Sequence, residues 1–289
     1  MLSCELNFLE YLEGIRSNFL DALFEIITML GEETIIIVLM AIVYFMVDKN
    51  LARRMFFITA ASLSSNCIIK NFVKRPRPFT RGISCVREET ATGYAFPSGH
   101  TQTFATWSSG FSFYLKKNWM IILSVILTLL VGFSRLYLGA HYPSDVIVGM
   151  LLGFGFAFFG NKLYDKVKNK NILHFALLLI LTPFLIFFIA CPDPLYEDFF
   201  KLYGMFAGFC FSVIFEDKYV NLDNNTTLTK KIIRVIVCIL IALIAKEGLK
   251  MLFSFTDLRL SLIYDGLRYF ILVFLLLGIC PMIIKKTKM

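Results

Sequence analysis

Charge is scarce in this chain. Asp, Glu, Lys and Arg make up 17% of its 289 residues, against 57% hydrophobic, and mean hydropathy is +0.71. So little polar surface excludes an ordinary soluble domain of this length. Histidine is rarer still, with three in all, so imidazole chemistry has few places to reside. The seven cysteines form no Cys-x-x-Cys pair and no metal-ligand spacing, and neither a metal ion nor a cofactor is expected. Nor is a cleavable signal peptide expected. Glu5, Glu10 and Glu13 precede any apolar stretch, the wrong order for one.

Long apolar runs are abundant. A helix needs roughly 20 mostly apolar residues to cross a bilayer, and about nine such spans can be drawn: 33–48, 54–72, 98–115, 119–138, 144–164, 172–190, 199–216, 232–252 and 262–284. The chain is therefore expected to be all-α, a polytopic membrane helix bundle. Ahead of the spans, Leu20, Leu23, Phe24, Ile27 and Leu30 recur at helical spacing opposite Asp21 and Glu25. That pattern predicts an amphipathic helix lying along the membrane surface or extending the first span.

The net charge of +8 does not point to nucleic acid, because the basic residues sit mainly in short connections between apolar runs. Lys49, Arg53 and Arg54, then Lys116 and Lys117, the lysines from 162 to 170, Lys218, Lys230 and Lys231, and finally Lys285, Lys286 and Lys288 mark one face as cytoplasmic. The N-terminus and the acidic segment at 191–198 then lie outside, and the C-terminus inside. One outer connection departs from this rule. It carries Lys70, Lys74, Arg75, Arg77, Arg81 and Arg87, and an anion-binding role explains that excess better than topology does.

Three segments on that outer face carry chemistry: Lys70 to Arg77-Pro78, Pro97-Ser98-Gly99-His100, and Ser134-Arg135 through His141 to Asp145. Cleaving a phosphate ester gathers negative charge on oxygen, and Lys70, Arg77 and Arg135 answer it with an ammonium and two guanidinium forks. Pro97-Ser98-Gly99 reads as a helix start, with free N–H groups and a close backbone approach for an anion. His100 and His141 are two of the three imidazoles, suited to attack and to proton transfer near neutral pH. Asp145, four residues after His141, can fix the ring tautomer. Pro143 interrupts any continuous helix, so a turn is expected at His141 and a new helix near Ser144.

These three segments resemble the signature of the type 2 phosphatidic acid phosphatase (PAP2) superfamily, which also includes glucose-6-phosphatases and vanadium haloperoxidases. That signature is Lys, six residues, Arg-Pro; then Pro-Ser-Gly-His; then Ser-Arg, five residues, His, three residues, Asp. Every fixed position matches. The resemblance implies a core of about six helices over roughly residues 20–190. It makes 1–190 a phosphatase core and 191–289 a C-terminal extension of further spans. It implies His141 as the nucleophile, Asp145 as its orienting carboxylate and His100 as the general acid. Lys70, Arg77, Ser98, Gly99 and Arg135 would hold the phosphate. The third segment is closer to bacterial lipid phosphatases than to glucose-6-phosphatases, which differ at the position of Asp145.

The implied substrate is a lipid phosphate or pyrophosphate reached from the outer face of the cell membrane, with undecaprenyl pyrophosphate and phosphatidic acid first. A phosphatase for soluble esters, and a non-catalytic lipid-phosphate binder or transporter, stay open alternatives, as does the oligomeric state. Elsewhere His174 reads as structural. Lys246, Glu247 and Lys250, with Asp265 and Arg268, are expected to pair inside the bundle or line a path. Cys4, Cys85 and Cys191 share one aqueous face, which leaves a disulfide open.

Overall fold

A computed structural model describes residues 2–252 and 257–287. Lys288, counted above with the C-terminal lysines, lies outside them. The described residues are helical and contain no strand. In order, the helices are α1 (Leu2–Gly14), α2 (Asn18–Met29), α3 (Glu33–Ile42), α4 (Lys49–Val73), α5 (Gly99–Leu115), α6 (Asn118–Tyr137), α7 (Pro143–Lys166), α8 (Lys170–Ala190), α9 (Glu197–Phe215), α10 (Leu228–Leu252), α11 (Leu258–Phe274) and α12 (Cys280–Lys286).

Six stretches among the described residues are long and apolar enough to cross a membrane: Lys49–Arg81, Asn118–Tyr137, Pro143–Lys166, Lys170–Ala190, Pro194–Val220 and Leu258–Lys286. Three of the nine expected spans are not among them. The first expected span is a shorter apolar helix, Ile35–Val47. The third, α5, has 17 residues. In α10, Lys230, Lys231 and Arg234 at one end and Lys246, Glu247 and Lys250 at the other crowd the apolar stretch.

The chain divides into two compact units. One comprises residues 1–37 and 61–165, the other 38–60 and 166–289. Compactness thus groups 38–60 and 166–190 with the C-terminal residues, whereas the motif-based boundary fell at 190.

In the first unit α5 is largely enclosed by protein. Thr101, Gln102, Thr103, Thr106, Ser109 and Ser112 are all buried. Buried polar groups need partners, and Thr101, Gln102, Thr106, Ser109 and Ser112 have them. Ser62 and Thr106 hydroxyls lie 2.8 Å apart, Asn66 Nδ2 donates to Gln102 Oε1 at 2.8 Å, and Gln102 Nε2 donates to the Ser62 carbonyl at 2.8 Å. This polar seam fixes α5 against the second half of α4. Gly153 lets α7 approach α5, since a Cβ there would lie 2.5 Å from the Ala105 methyl.

The helix expected along the membrane surface is α2, and it packs on α6. Phe24 meets Phe133 and Tyr137 with ring centroids 5.4 and 4.4 Å apart. The Tyr137 hydroxyl donates to Asp21 Oδ1 at 3.0 Å. Phe19 and Ile26 remain exposed on its other side. Helix α1 docks through Leu9 and Leu12 onto Ile83, Ala95, Leu136 and Tyr142.

In the second unit α9 and α11 cross closely, with Gly204 against Gly266 and Gly208 against Phe270. Glu216 is wholly buried and accepts from Arg53 at 2.6 Å and Lys49 at 3.2 Å. The His174 ring packs against Phe57 and Phe209. Asp265 and Arg268 pair at 2.8 Å, whereas Lys246, Glu247 and Lys250 are exposed on α10 rather than paired inside a bundle. All seven cysteines are free thiols.

Candidate active site

The three sequence segments meet in the first unit. Helix α4 ends at Val73, and its last turn presents Lys70. Gly99 opens α5 directly beneath that ammonium. A Cβ at 99 would lie 3.8 Å from Lys70 Nζ and 3.6 Å from Asn66 Oδ1, ordinary contact distances that put the helix start beside both side chains. Ser98 is fully buried, and its hydroxyl lies 2.9 Å from the Thr101 hydroxyl. Its N–H donates to the Asp145 carbonyl at 2.9 Å, which ties the start of α5 to the start of α7.

The turn from α6 to α7 carries the second histidine. Gly139 adopts φ +76°, and a Cβ there would lie 2.2 Å from the Ser84 carbonyl oxygen. Both facts require glycine. Helix α7 starts at Pro143, the position where a missing N–H costs nothing. Asp145 reaches back from the first turn, and its Oδ2 accepts from the Tyr142 N–H at 2.9 Å, the geometry of a capping box. That bond holds Asp145 on the same side as His141, with Nδ1 and Oδ2 3.5 Å apart, just beyond good hydrogen-bond length.

Arg77 supplies the other contact to the ring. Its Nη1 lies 3.0 Å from His141 Nε2 and also donates to the Ala140 carbonyl at 3.0 Å. Nε donates to the Gly93 carbonyl at 3.0 Å, and Nη2 to the Thr92 carbonyl. Because Arg77 only donates, Nε2 accepts, and the remaining proton sits on Nδ1 facing Asp145. His141 is 1% exposed. Burial, then the charges of Arg77, Arg135 and Lys70 and the nearby His100, push its pKa well below the ordinary imidazole value. The ring is therefore neutral at neutral pH and has a lone pair on Nε2.

Arg135 is completely buried in the last turn of α6. Its Nη1 donates to Thr28 of α2 at 3.0 Å and to Thr90 at 3.4 Å. Its Nε and Nη2, and His100 Nε2, are buried without a hydrogen-bond partner. Buried N–H groups lacking acceptors are costly, and phosphate oxygens are the acceptors that would relieve them. The α2–α3 turn backs His100, since a Cβ on Gly31 would lie 2.8 Å from its carbonyl oxygen.

All eight residues singled out from the sequence thus fall in one unit, around the starts of α5 and α7. Thr28, Thr90, Arg75 and Glu5 escaped that reading as site residues. In the sequence Arg75 stands out only as part of the basic connection, and Glu5 only as an acid near the N-terminus. No cluster of three or more His, Cys, Asp or Glu side chains suited to a metal occurs among the described residues.

A family model described as the PAP2 superfamily matches residues 51–169, and one described as the PAP2 superfamily phosphatase, transmembrane extension, matches 200–289. The chain is 38% identical over 85 residues to an undecaprenyl-diphosphatase of Sulfolobus acidocaldarius, which covers 29% of this chain and 41% of that one. It is 28% identical over 189 residues to a lipid A 4'-phosphatase of Porphyromonas gingivalis, covering 59% and 77%. Among solved structures, the first transmembrane PAP2 type phosphatidylglycerolphosphate phosphatase, from Bacillus subtilis, shares the fold. The TM-score is 0.52 at 23% identity, covering 58% of this chain and 88% of that one. With its apolar helices and its three signature segments gathered at one site, the chain is an integral membrane protein that belongs to the PAP2 superfamily.

Proposed function

We propose that this protein is a lipid phosphate phosphatase that works through a phosphohistidine, with its site on the extracytoplasmic face. His141 Nε2 attacks phosphorus, and the bond to the leaving oxygen breaks as His100 delivers a proton to that oxygen. Burial and the Arg135, Lys70 and Arg77 charges disfavour a charged His100 in the empty site, so it takes up that proton when the anionic phosphate enters beside it. Water then attacks the phosphohistidine, gives its proton to His100, and releases inorganic phosphate with His141 restored. Asp145 faces the Nδ1 proton and stabilises the positive ring that forms on attack. Arg135, Arg77 and Lys70, with Ser98 and the Gly99 backbone, gather the phosphate oxygens. No step calls for a metal.

The observation that carries this reading is the His141 ring itself. It is buried, lies 3.0 Å from Arg77 on one nitrogen and 3.5 Å from Asp145 on the other, and neighbours guanidinium donors that have no protein acceptor. A carrier that only bound phosphate would have no use for an oriented carboxylate behind a neutral imidazole. A lipid substrate is favoured by the membrane setting, and by the names of relatives that act on undecaprenyl diphosphate and lipid A.

The test is phosphate release by purified protein in detergent, from a panel of defined lipid monophosphates and pyrophosphates beside short soluble esters. Release should favour lipids, persist in excess chelator and vanish in His141→Ala. Labelled substrate should leave an acid-labile, alkali-stable phosphoprotein in the wild type alone. Full release by His141→Ala would overturn the catalytic reading.

A further inference from the structure

Asp145 does not stand alone behind His141. Its Oδ1 accepts from Arg75 Nη1 at 2.5 Å, while Arg75 Nη2 donates to Glu5 Oε2 at 2.7 Å. Glu5 Oε1 accepts from the Ser144 N–H at 2.8 Å, and Arg75 Nη1 also reaches the Ser144 hydroxyl at 2.6 Å. The Arg75 guanidinium lies 4.0 Å from the centroid of the Tyr142 ring. The side chains of Glu5, Arg75 and Asp145 are 11%, 14% and 0% exposed, so solvent screens this row little. Burial alone would raise the Glu5 carboxyl, but the bonds from Ser144 and Arg75 outweigh it and hold it below its ordinary value. Glu5 is thus an anion whenever Arg75 is in place.

Docking of α1 has anchors besides Glu5. Leu9 and Leu12 anchor the helix, and Arg16 fastens its far end to the Tyr137 carbonyl and to Ser84. Glu5 therefore has another consequence. An arginine beside Asp145 draws the carboxylate toward itself and cancels much of the negative charge that His141 would feel. A second carboxylate on the far side of that arginine restores the balance and fixes the guanidinium plane.

We propose that Glu5 and Arg75 are positioning residues for Asp145. This carboxylate–guanidinium–carboxylate relay, begun in α1, sets both the aim of the carboxylate and the charge it presents to the His141 ring. The proposal rests on the reading of His141 as nucleophile. Around that ring stand Lys70 from α4, Arg77 from the connection after it, His100 from α5, Arg135 from α6 and Asp145 from α7. Glu32 and Arg87 pair with one another at 2.8 Å, and both act on Arg135. The relay is the part of this field that can be altered without touching the phosphate donors.

The experiment uses full-length protein in detergent with a short-chain phosphatidic acid. Glu5→Gln keeps an oxygen for the Ser144 N–H but leaves the Arg75 charge unbalanced. Arg75→Gln removes that charge, and Arg75→Lys keeps it without the fork. Both glutamine variants should lose about 10–100-fold in kcat, the usual cost of removing a group that orients a functional side chain, with KM little changed. Arg75→Lys should recover part of the loss. The acid limb of kcat/KM should move to lower pH in Glu5→Gln and to higher pH in Arg75→Gln, because the first removes an anion near His141 and the second a cation. A role confined to docking α1 would lower thermal stability and leave both limbs where they were. Unmoved limbs with wild-type kcat, alongside an inactive His141→Ala, overturn the relay alone. An active His141→Ala overturns the reading beneath it. Should Arg75→Gln fail to fold, the shift in Glu5→Gln decides.

Discussion

Replacing Arg135 by glutamine should damage activity while leaving the empty protein as stable as before, or more so. The guanidinium is wholly buried, with Nε and Nη2 lacking acceptors. Each charge-assisted hydrogen bond these groups make to a phosphate oxygen is worth about 1.5–3 kcal/mol. Two of them give about 3–6 kcal/mol, or roughly two to four decades in kcat/KM. Without substrate the same group is a buried cation beside Arg77, and removing an unpaired buried charge relieves several kcal/mol of desolvation, to order of magnitude. Two measurements separate these effects. Phosphate release from a lipid phosphate gives kcat/KM, and thermal unfolding in detergent gives Tm with and without vanadate, a trigonal-bipyramidal mimic of the transition state. At 100 times its Kd, vanadate should stabilise the wild type by about 2.7 kcal/mol, and the variant should lose most of that rise. Normal kcat/KM together with a normal vanadate-induced rise in Tm would refute the assignment of those two nitrogens to phosphate.

Two further outcomes follow from the same geometry. Because the His141 pKa is depressed, its ring should remain neutral as pH falls through the ordinary imidazole value of about 6.5. NMR of labelled histidine, assigned by the signal lost in His141→Ala, checks this, and protonation at or above that pH contradicts it. Gly139→Ala should lower Tm and kcat together, combining a left-handed strain of about 1–2 kcal/mol with a clash at the Ser84 carbonyl. Gly93→Ala, also at positive φ but in open space, should carry the strain alone, and equal losses in both would count against the clash.

The candidate site residues were legible because their chemistry is local in sequence. His141 and Asp145 share one turn, and Ser98 to His100 are consecutive. Glu5 and Thr28 were not legible, since Glu5 meets Arg75 and Ser144 across 70 and 139 positions and Thr28 meets Arg135 across 107, and neither carries a periodicity that distinguishes it. Apolar runs gave the helices, and six of the nine expected spans are long and apolar enough to cross a membrane among the described residues. Helix α5 is surrounded by protein, and its buried threonines and serines need no lipid-facing length. Helix α10 reads as apolar between two charged ends that shorten it. The amphipathic pattern of α2 was correct as a helix, but hydrophobicity alone does not say whether the greasy side meets lipid or another helix, and here Phe24 meets α6.

The guanidinium seated on His141 Nε2 has a consequence for the idle protein. On the proposed mechanism the attacking lone pair stays capped until something more negative draws Arg77 aside, so that arrival of a dianionic headgroup and unveiling of the nitrogen would be one event. Neutral phosphotriesters, which offer that arginine nothing, should leave the cap in place and go uncleaved however well their acyl chains fit.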